Sequence, residues 1–277
     1  MTEIKSDWNS YARAHASQKW RAQSAAMGSA FTEAIVAAAK VEPGMRVLDI
    51  ACGTGEPAIS IATLLAGTGE VIGIDIAEGS LQLARQRAAH RKLTNIRFEQ
   101  ADAHQLPFED NSFDRVTCRL GIMFFADLPN ALRQMHRVLK PGGRIALLAW
   151  GPMGQPYFSS TIGTLLRNVP GAALPESGKK MFAFGQPGLL ARTLRAAGFE
   201  AVEESFPVLP WTWPGKPEEA WDYFQEVTVP FAPLLKSIPA ERKPEVDAAV
   251  LHAISEYYDG KEIKFTAKAN ITCATKG

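Results

Sequence analysis

Cysteine is scarce in this chain. Cys52, Cys118 and Cys273 are the only three in 277 residues. They are far apart, odd in number and form no C-x-x-C pair, which argues against a disulfide framework and against a zinc site. A reducing, cytoplasmic setting is the expectation. Excess charge is also missing: 30 basic residues face 29 acidic ones, a formal net charge of +1. With no global basic field to hold nucleic acid or an anionic membrane, a small-molecule partner is expected. No apolar run reaches the length of a membrane span. The opening stretch "MTEIKSDWNSYARAHAS" mixes acids with bases and lacks the apolar region of a secretory signal. Repeats and low-complexity segments are absent. What remains is a chain with 46% hydrophobic and 21% charged residues, an ordinary globular balance.

Residues 8–40 read as helical, being rich in alanine and poor in glycine and proline, and Pro43 and Gly44 break that pattern. Strand and helix signals then alternate. "RVLDIA", "GEVIGIDI", "NIRFEQAD", "SFDRVTCRLG" and "RIALLAW" read as strands. "PAISIATLLA", with Pro57 in its first turn, "GSLQLARQRAAHRK" and "DLPNALRQMHRVLK" read as helices. The last of these places Leu128, Leu132, Met135 and Leu139 on one face, with "PGG" as its stop. Alternation of this kind predicts an α/β fold, a parallel sheet covered on both faces, with ligands bound at the carboxyl ends of the strands. Beyond Trp150 the rhythm fades. A helix, "PGLLARTLRAAG", leads into a strand, "FEAVEESF"; residues 207–260 are rich in Pro, Trp, Tyr and Phe. The final "KEIKFTAKANITCATK" alternates like an exposed or edge strand.

Chemistry concentrates after the first strand. "VLDIACGTGEPA", residues 47–58, carries the literal pattern G-x-G-x-x-A of a dinucleotide loop. Its charge speaks against a pyrophosphate, because Asp49 ends the strand and Glu56 follows the second glycine. A cationic sulfonium ligand such as S-adenosylmethionine (SAM) suits an acid there, while Gly53 and Gly55 still permit close backbone approach. Asp75 lies 20 residues after Gly55, the spacing of a ribose-binding acid in either nucleotide class. Asp102 follows the third strand, where a carboxylate can accept from an adenine amine. Asp49, Asp75, Asp102 and Arg119 all fall at strand ends and could share one crevice.

Together, "VLDIACGTGEPAISIA", "VIGIDIAEGSLQLAR" and the stretch from "ADAHQLPF" to "RIALLAW" resemble the class I SAM-dependent methyltransferases, in particular the group related to ubiquinone/menaquinone C-methyltransferases. The resemblance covers residues 41–150. It implies a doubly wound, mostly parallel, seven-stranded Rossmann-like sheet with an antiparallel edge strand and a helical cap. It also implies SAM as cofactor, with S-adenosylhomocysteine (SAH) as product. By motif position, Asp49, Ala51, Cys52, Gly53 and Gly55 would hold the methionine part. Asp75 would hold the ribose and Asp102 the adenine amine, with Ile76 and Ala103 flanking the base. Arg119 and Leu120 would line the amino-acid end. Residues 1–40 would be a cap, 41–150 the cofactor core, and 151–277 the rest of the sheet (187–206 and 261–275) interrupted by substrate-cap insertions (151–186 and 207–260).

Catalytic candidates are Tyr11, His15 and His104, as positioning groups or bases. A nucleophilic role for Cys52 would need a neighbouring base, and none is near in sequence. Phe124, Tyr157, Trp211 and Trp221 are candidates for the acceptor site, set against plain core packing. No metal ligand cluster is expected. Neither an N/D-P-P-Y motif nor a Pro-Cys pair is present, which weighs against nucleic-acid bases as acceptor. The resulting expectation is in-line transfer of a methyl group to a small molecule, without metal. The alternatives are an NAD-dependent oxidoreductase or a non-catalytic SAM-binding protein. A homodimer is left open.

Overall fold

The computed structural model describes residues 11–277, and side chains from residue 15 onward. Five parallel strands follow the expected alternation: β1 (Arg46–Ile50), β2 (Glu70–Asp75), β3 (Ile96–Gln100), β4 (Phe113–Arg119) and β5 (Leu139–Trp150). They are ordered β3-β2-β1-β4-β5 and continue into β8 (Ile263–Lys276) and β6 (Phe199–Ser205). Successive residues of β1 and β2 face opposite sides of the sheet. Val47 and Val71 pack under the helices Ala58–Leu65 and Glu78–His90, whereas Leu48 and Ile72 join the larger core around Phe31, Ile35 and Leu147. Burial on both faces is why these strands read as continuous apolar runs.

Residues 11–39 form three helices, Tyr11–Lys19, Arg21–Met27 and Ser29–Ala39. The third packs across β4, β5 and β8. The helix Leu128–Val138 starts on Asp127, whose carboxylate accepts from the Asn130 backbone N–H at 3.0 Å. It ends two residues earlier than the sequence suggests. Leu139 is already extended and pairs with Phe113. Pro141, Gly142 and Gly143 therefore lie within β5, at an irregularity before Arg144 pairs with Arg115, and do not cap the helix.

Two further departures lie behind β5. The final segment is no edge strand. β8 runs antiparallel between β5 and β6, and its first half pairs with an eighth strand, β7 (Val208–Trp213). Its first half alternates because one face of the two-stranded extension meets solvent; its second half is buried on both faces. β7 falls inside the stretch 207–260 expected to be cap. It tolerates Pro210 because β8 is its one partner, so no ladder donor is lost on the other side. Among the described residues no helix is long and apolar enough to cross a membrane.

Candidate active site

A cavity of about 820 Å³ opens over the carboxyl ends of β1, β2 and β4. It lies within the range of small-molecule sites, roughly 300–1,000 Å³. One of its walls is the glycine loop. The backbone of Ala51 turns left-handed (φ 57°), as does Gly53 (φ 53°), and Gly55 takes φ 109°. The Gly53 N–H donates to Asp75 Oδ2 at 2.9 Å and the Ala77 N–H to Asp75 Oδ1 at 2.8 Å. Two backbone donors thus hold the Asp75 carboxylate at the cavity wall. Ala51, Cys52, Gly53, Ile76, Asp102, Ala103, Arg119 and Leu120 share that wall.

Asp49 and Gly55 do not. Asp49 is fully buried beneath the loop, where Thr117 Oγ1 donates to its Oδ1 at 2.7 Å and the Ala58 N–H to its Oδ2 at 3.2 Å. Burial pushes its carboxyl up to about 7, against the pull of those bonds and of Arg119. Its role is to hold the first turn of the helix against β4. A Cβ on Gly55 would meet Ile59 Cδ1 at 2.6 Å and Ala84 Cβ at 3.3 Å. That glycine lets the loop close onto two helices.

The charge argument against a pyrophosphate weakens here. Glu56 is paired with Arg87 at 3.0 Å and accepts from Ser60 Oγ at 2.7 Å, while Asp49 is half-neutralised by burial near neutral pH. Arg87, which also donates to the Thr54 carbonyl at 2.6 Å, is a loop-holding residue that sequence reasoning missed. Its signal was the basic end of the helix Glu78–His90.

Of the catalytic candidates, Tyr11 lies in the helix Tyr11–Lys19, but its side chain falls outside the described residues. His15 is exposed and is not among the cavity-lining residues. His104 lines the cavity, yet both ring nitrogens are engaged. Nδ1 meets Asp102 Oδ1 at 2.5 Å, and Nε2 accepts from the Asp127 N–H at 3.1 Å. This pairing assigns the neutral tautomer protonated at Nδ1 and makes His104 a strut between two loops. Cys52 is buried and its thiol is pushed well up, first by burial and then by Asp49, so it is no nucleophile.

The far wall is aromatic. Phe124, Tyr157, Phe158, Trp211, Phe224 and Phe231 line it. Tyr157 contacts Trp211 (5.9 Å between centroids) and Phe224 (6.1 Å) edge-on or tilted, as ring quadrupoles favour. Burial drives the Tyr157 phenol well above its usual range, so it stays protonated. Trp221 departs from expectation. It points away from the cavity, donates to Asp247 Oδ1 at 2.9 Å and packs between two cap helices. The four lining acids are Asp75, which ends β2, and Glu56, Asp102 and Asp127, which follow β1, β3 and β4.

The pattern has relatives. A family model described as a methyltransferase domain matches residues 41–153. The demethylmenaquinone methyltransferase of Deinococcus radiodurans is 42% identical over 167 residues, 56% of this chain and 67% of that protein. The chain belongs to the class I SAM-dependent methyltransferases of the UbiE type. Within this family, the ubiquinone/menaquinone biosynthesis C-methyltransferase UbiE of Ectopseudomonas mendocina is 43% identical over 125 residues, 45% of this chain and 49% of that one. The chain thus spans about half to two thirds of the length of the curated relatives it matches. The YcgJ protein of Bacillus subtilis superposes with a TM-score of 0.57 at 23% identity, covering 88% of this chain and 97% of that one, a likeness of fold.

The cavity suits the family's cofactor. Nε of Arg119 is sealed from solvent without a protein partner, at a lining position beside the glycine loop, and a carboxylate is the natural complement to a guanidinium donor.

Proposed function

We propose that this protein transfers a methyl group from SAM to a small, apolar ring compound of the quinol kind named for its relatives. The observation that carries this reading is the continuity of the cavity. A polar end with Asp75, Asp102 and Arg119 runs without a break into an aromatic chamber. Asp75 would accept from ribose hydroxyls, Asp102 from the adenine amine, and Arg119 would donate to the methionine carboxylate. Bound there, SAM supplies an activated methyl group on a sulfonium, so the protein's task is alignment and exclusion of water.

The acceptor chamber has its own chemistry. It presents rings and a protonated Tyr157 hydroxyl, and its acids lie at the other end. A cationic amine finds no counter-charge there. A flat phenolic ring finds stacking surface and a donor for its oxygen. With His104 tied at both nitrogens, no other imidazole lines the cavity among the described residues, which favours an acceptor that is acidic enough to arrive as its own anion. Methyl transfer then forms one bond to the acceptor and breaks the methyl–sulfur bond. Where ring carbon is the nucleophile, its proton leaves to solvent.

The test is transfer of labelled methyl from SAM to chemically reduced demethylmenaquinone, with ethanolamine as a cationic comparison. Label in the quinol alone is the expected result. Label in the amine alone would overturn the acceptor reading.

A further inference from the structure

Two segments close the cavity from above, and they are distant in sequence. The helices Tyr11–Lys19 and Arg21–Met27 contribute Ser17, Arg21, Ser24 and Met27 to its lining. The helix Pro217–Val227 contributes Tyr223, Phe224 and Val227. Beside the packing of Trp20 against Tyr223, they share one carboxylate that itself stays out of the cavity. Glu226 Oε2 accepts the Trp20 indole N–H at 2.8 Å, and its Oε1 takes Lys19 Nζ at 2.7 Å. Trp20 is 7% exposed. Its ring lies 5.6 Å from Trp213 and 6.4 Å from Tyr223, and those two are 4.9 Å apart. Glu226 thereby holds Trp20 as a wedge behind Tyr223, a cavity wall.

The two bonds differ in weight. Lys19 and Glu226 are both substantially exposed, at 46% and 37% of their side chains, so their attraction is screened. The indole bond runs from a buried donor to a charged acceptor, and losing the acceptor leaves that donor unsatisfied. Burial pushes the Glu226 carboxyl up, but the bonds from Lys19 and Trp20 bring it below its usual range, so it is ionised at neutral pH.

We infer that Glu226 is a positioning residue that fixes the cap over the cofactor end against the aromatic wall of the acceptor end, so that one contact sets the closure of both. This rests on the methyltransferase reading of the cavity. Opening of the cap, and with it release of the product cofactor, is then governed by the Glu226–Trp20 bond.

The experiment measures SAH dissociation by stopped-flow fluorescence, together with amide hydrogen exchange over residues 15–27 and 217–231. In Glu226→Ala, SAH leaves about tenfold faster or more, for loss of a charged hydrogen bond. Exchange rises in both segments while β1 and β4 keep their protection. Glu226→Gln retains an acceptor for the indole and stays within roughly threefold of wild type, since it forfeits only the exposed pair. Trp20→Phe keeps a ring, loses the donor, and behaves like the alanine variant; it serves as the test if Glu226→Ala fails to fold. Wild-type release rates in Glu226→Ala or Trp20→Phe would overturn the proposal, as would exchange rising in one segment alone, or Glu226→Gln as impaired as Glu226→Ala. Failure of the wild type to bind SAH at all would instead remove the cofactor reading and this proposal with it.

Discussion

The two ends of the cavity are built by different means. At the cofactor end, β1, β2 and β4 deliver loops whose backbone N–H groups and carboxylates are fixed by short, local bonds, such as Gly53 and Ala77 on Asp75. At the aromatic end, proposed for the acceptor, the wall is assembled from side chains that meet only through the tertiary fold: Tyr157, Trp211 from β7, Phe224 from the helix Pro217–Val227, and Phe231. The first kind of site depends on hydrogen-bond geometry and fails by losing a named partner. The second depends on packing and fails by losing volume.

The comparison predicts opposite signatures. Trp221→Ala, in the cap but outside the cavity, should cost about 3–5 kcal/mol of stability, as for a large buried ring. Denaturant unfolding would measure it. Its milder neighbour in the wall, Trp211→Phe, should raise the acceptor KM and leave SAH affinity unchanged. Equal loss of both ligands in Trp211→Phe would mean that the two ends are one packing unit. Asp75→Ala should do the reverse. Loss of charged hydrogen bonds at about 1.5–3 kcal/mol each predicts SAH affinity reduced by on the order of 100-fold, with the aromatic end intact.

Smaller effects sharpen the picture within the cofactor end. Gly55→Ala forces a Cβ onto Ile59 at φ 109°, whereas Gly53→Ala meets nothing within 4 Å and strains only its left-handed φ of 53°. SAH affinity should fall markedly in the first and by about tenfold or less in the second, the strain being roughly 1 kcal/mol. Similar losses in both would mean that the loop is set by something other than its contact with Ile59 and Ala84.

Asp49 gives a test that is read through pH. Its native carboxyl sits up at about 7, above its unfolded value near 3.8, so the native state holds the proton more tightly. The stability it lends is full below pH 4 and is lost as pH rises toward 7. Asp49→Asn cannot lose a proton. Its stability relative to wild type should therefore grow between pH 4 and 7, by roughly 1 kcal/mol per pH unit or less, and level off above. A difference independent of pH would show that Asp49 is not buried as described.

The same division explains what the sequence disclosed. The cofactor end was legible because its residues are strand-end positions at fixed spacing: Asp75, Asp102 and the glycines all follow runs whose period identifies them. Even there, direction was hidden. That Asp49 looks under the loop, and that Arg87 neutralises Glu56, depends on which face of a helix meets the loop. At the aromatic end, β7 was lost among aromatics. Its alternation in "VLPWTW" is genuine, with Trp211 and Trp213 buried and Val208 and Pro210 exposed. Its partner lies 50 to 60 residues on in β8. Trp221 and Trp211 carry the same side chain ten residues apart. Only their elements, a helix packed on Asp247 and a strand facing the cavity, separate a core residue from a wall residue.

The central claim is that the β1–β4 end holds an adenosyl sulfur ligand and not a dinucleotide. Titration calorimetry of the wild-type protein with SAH, and separately with NAD, tests it most directly. Micromolar binding of SAH with no heat from NAD is the predicted result. Binding of NAD without SAH would contradict the account.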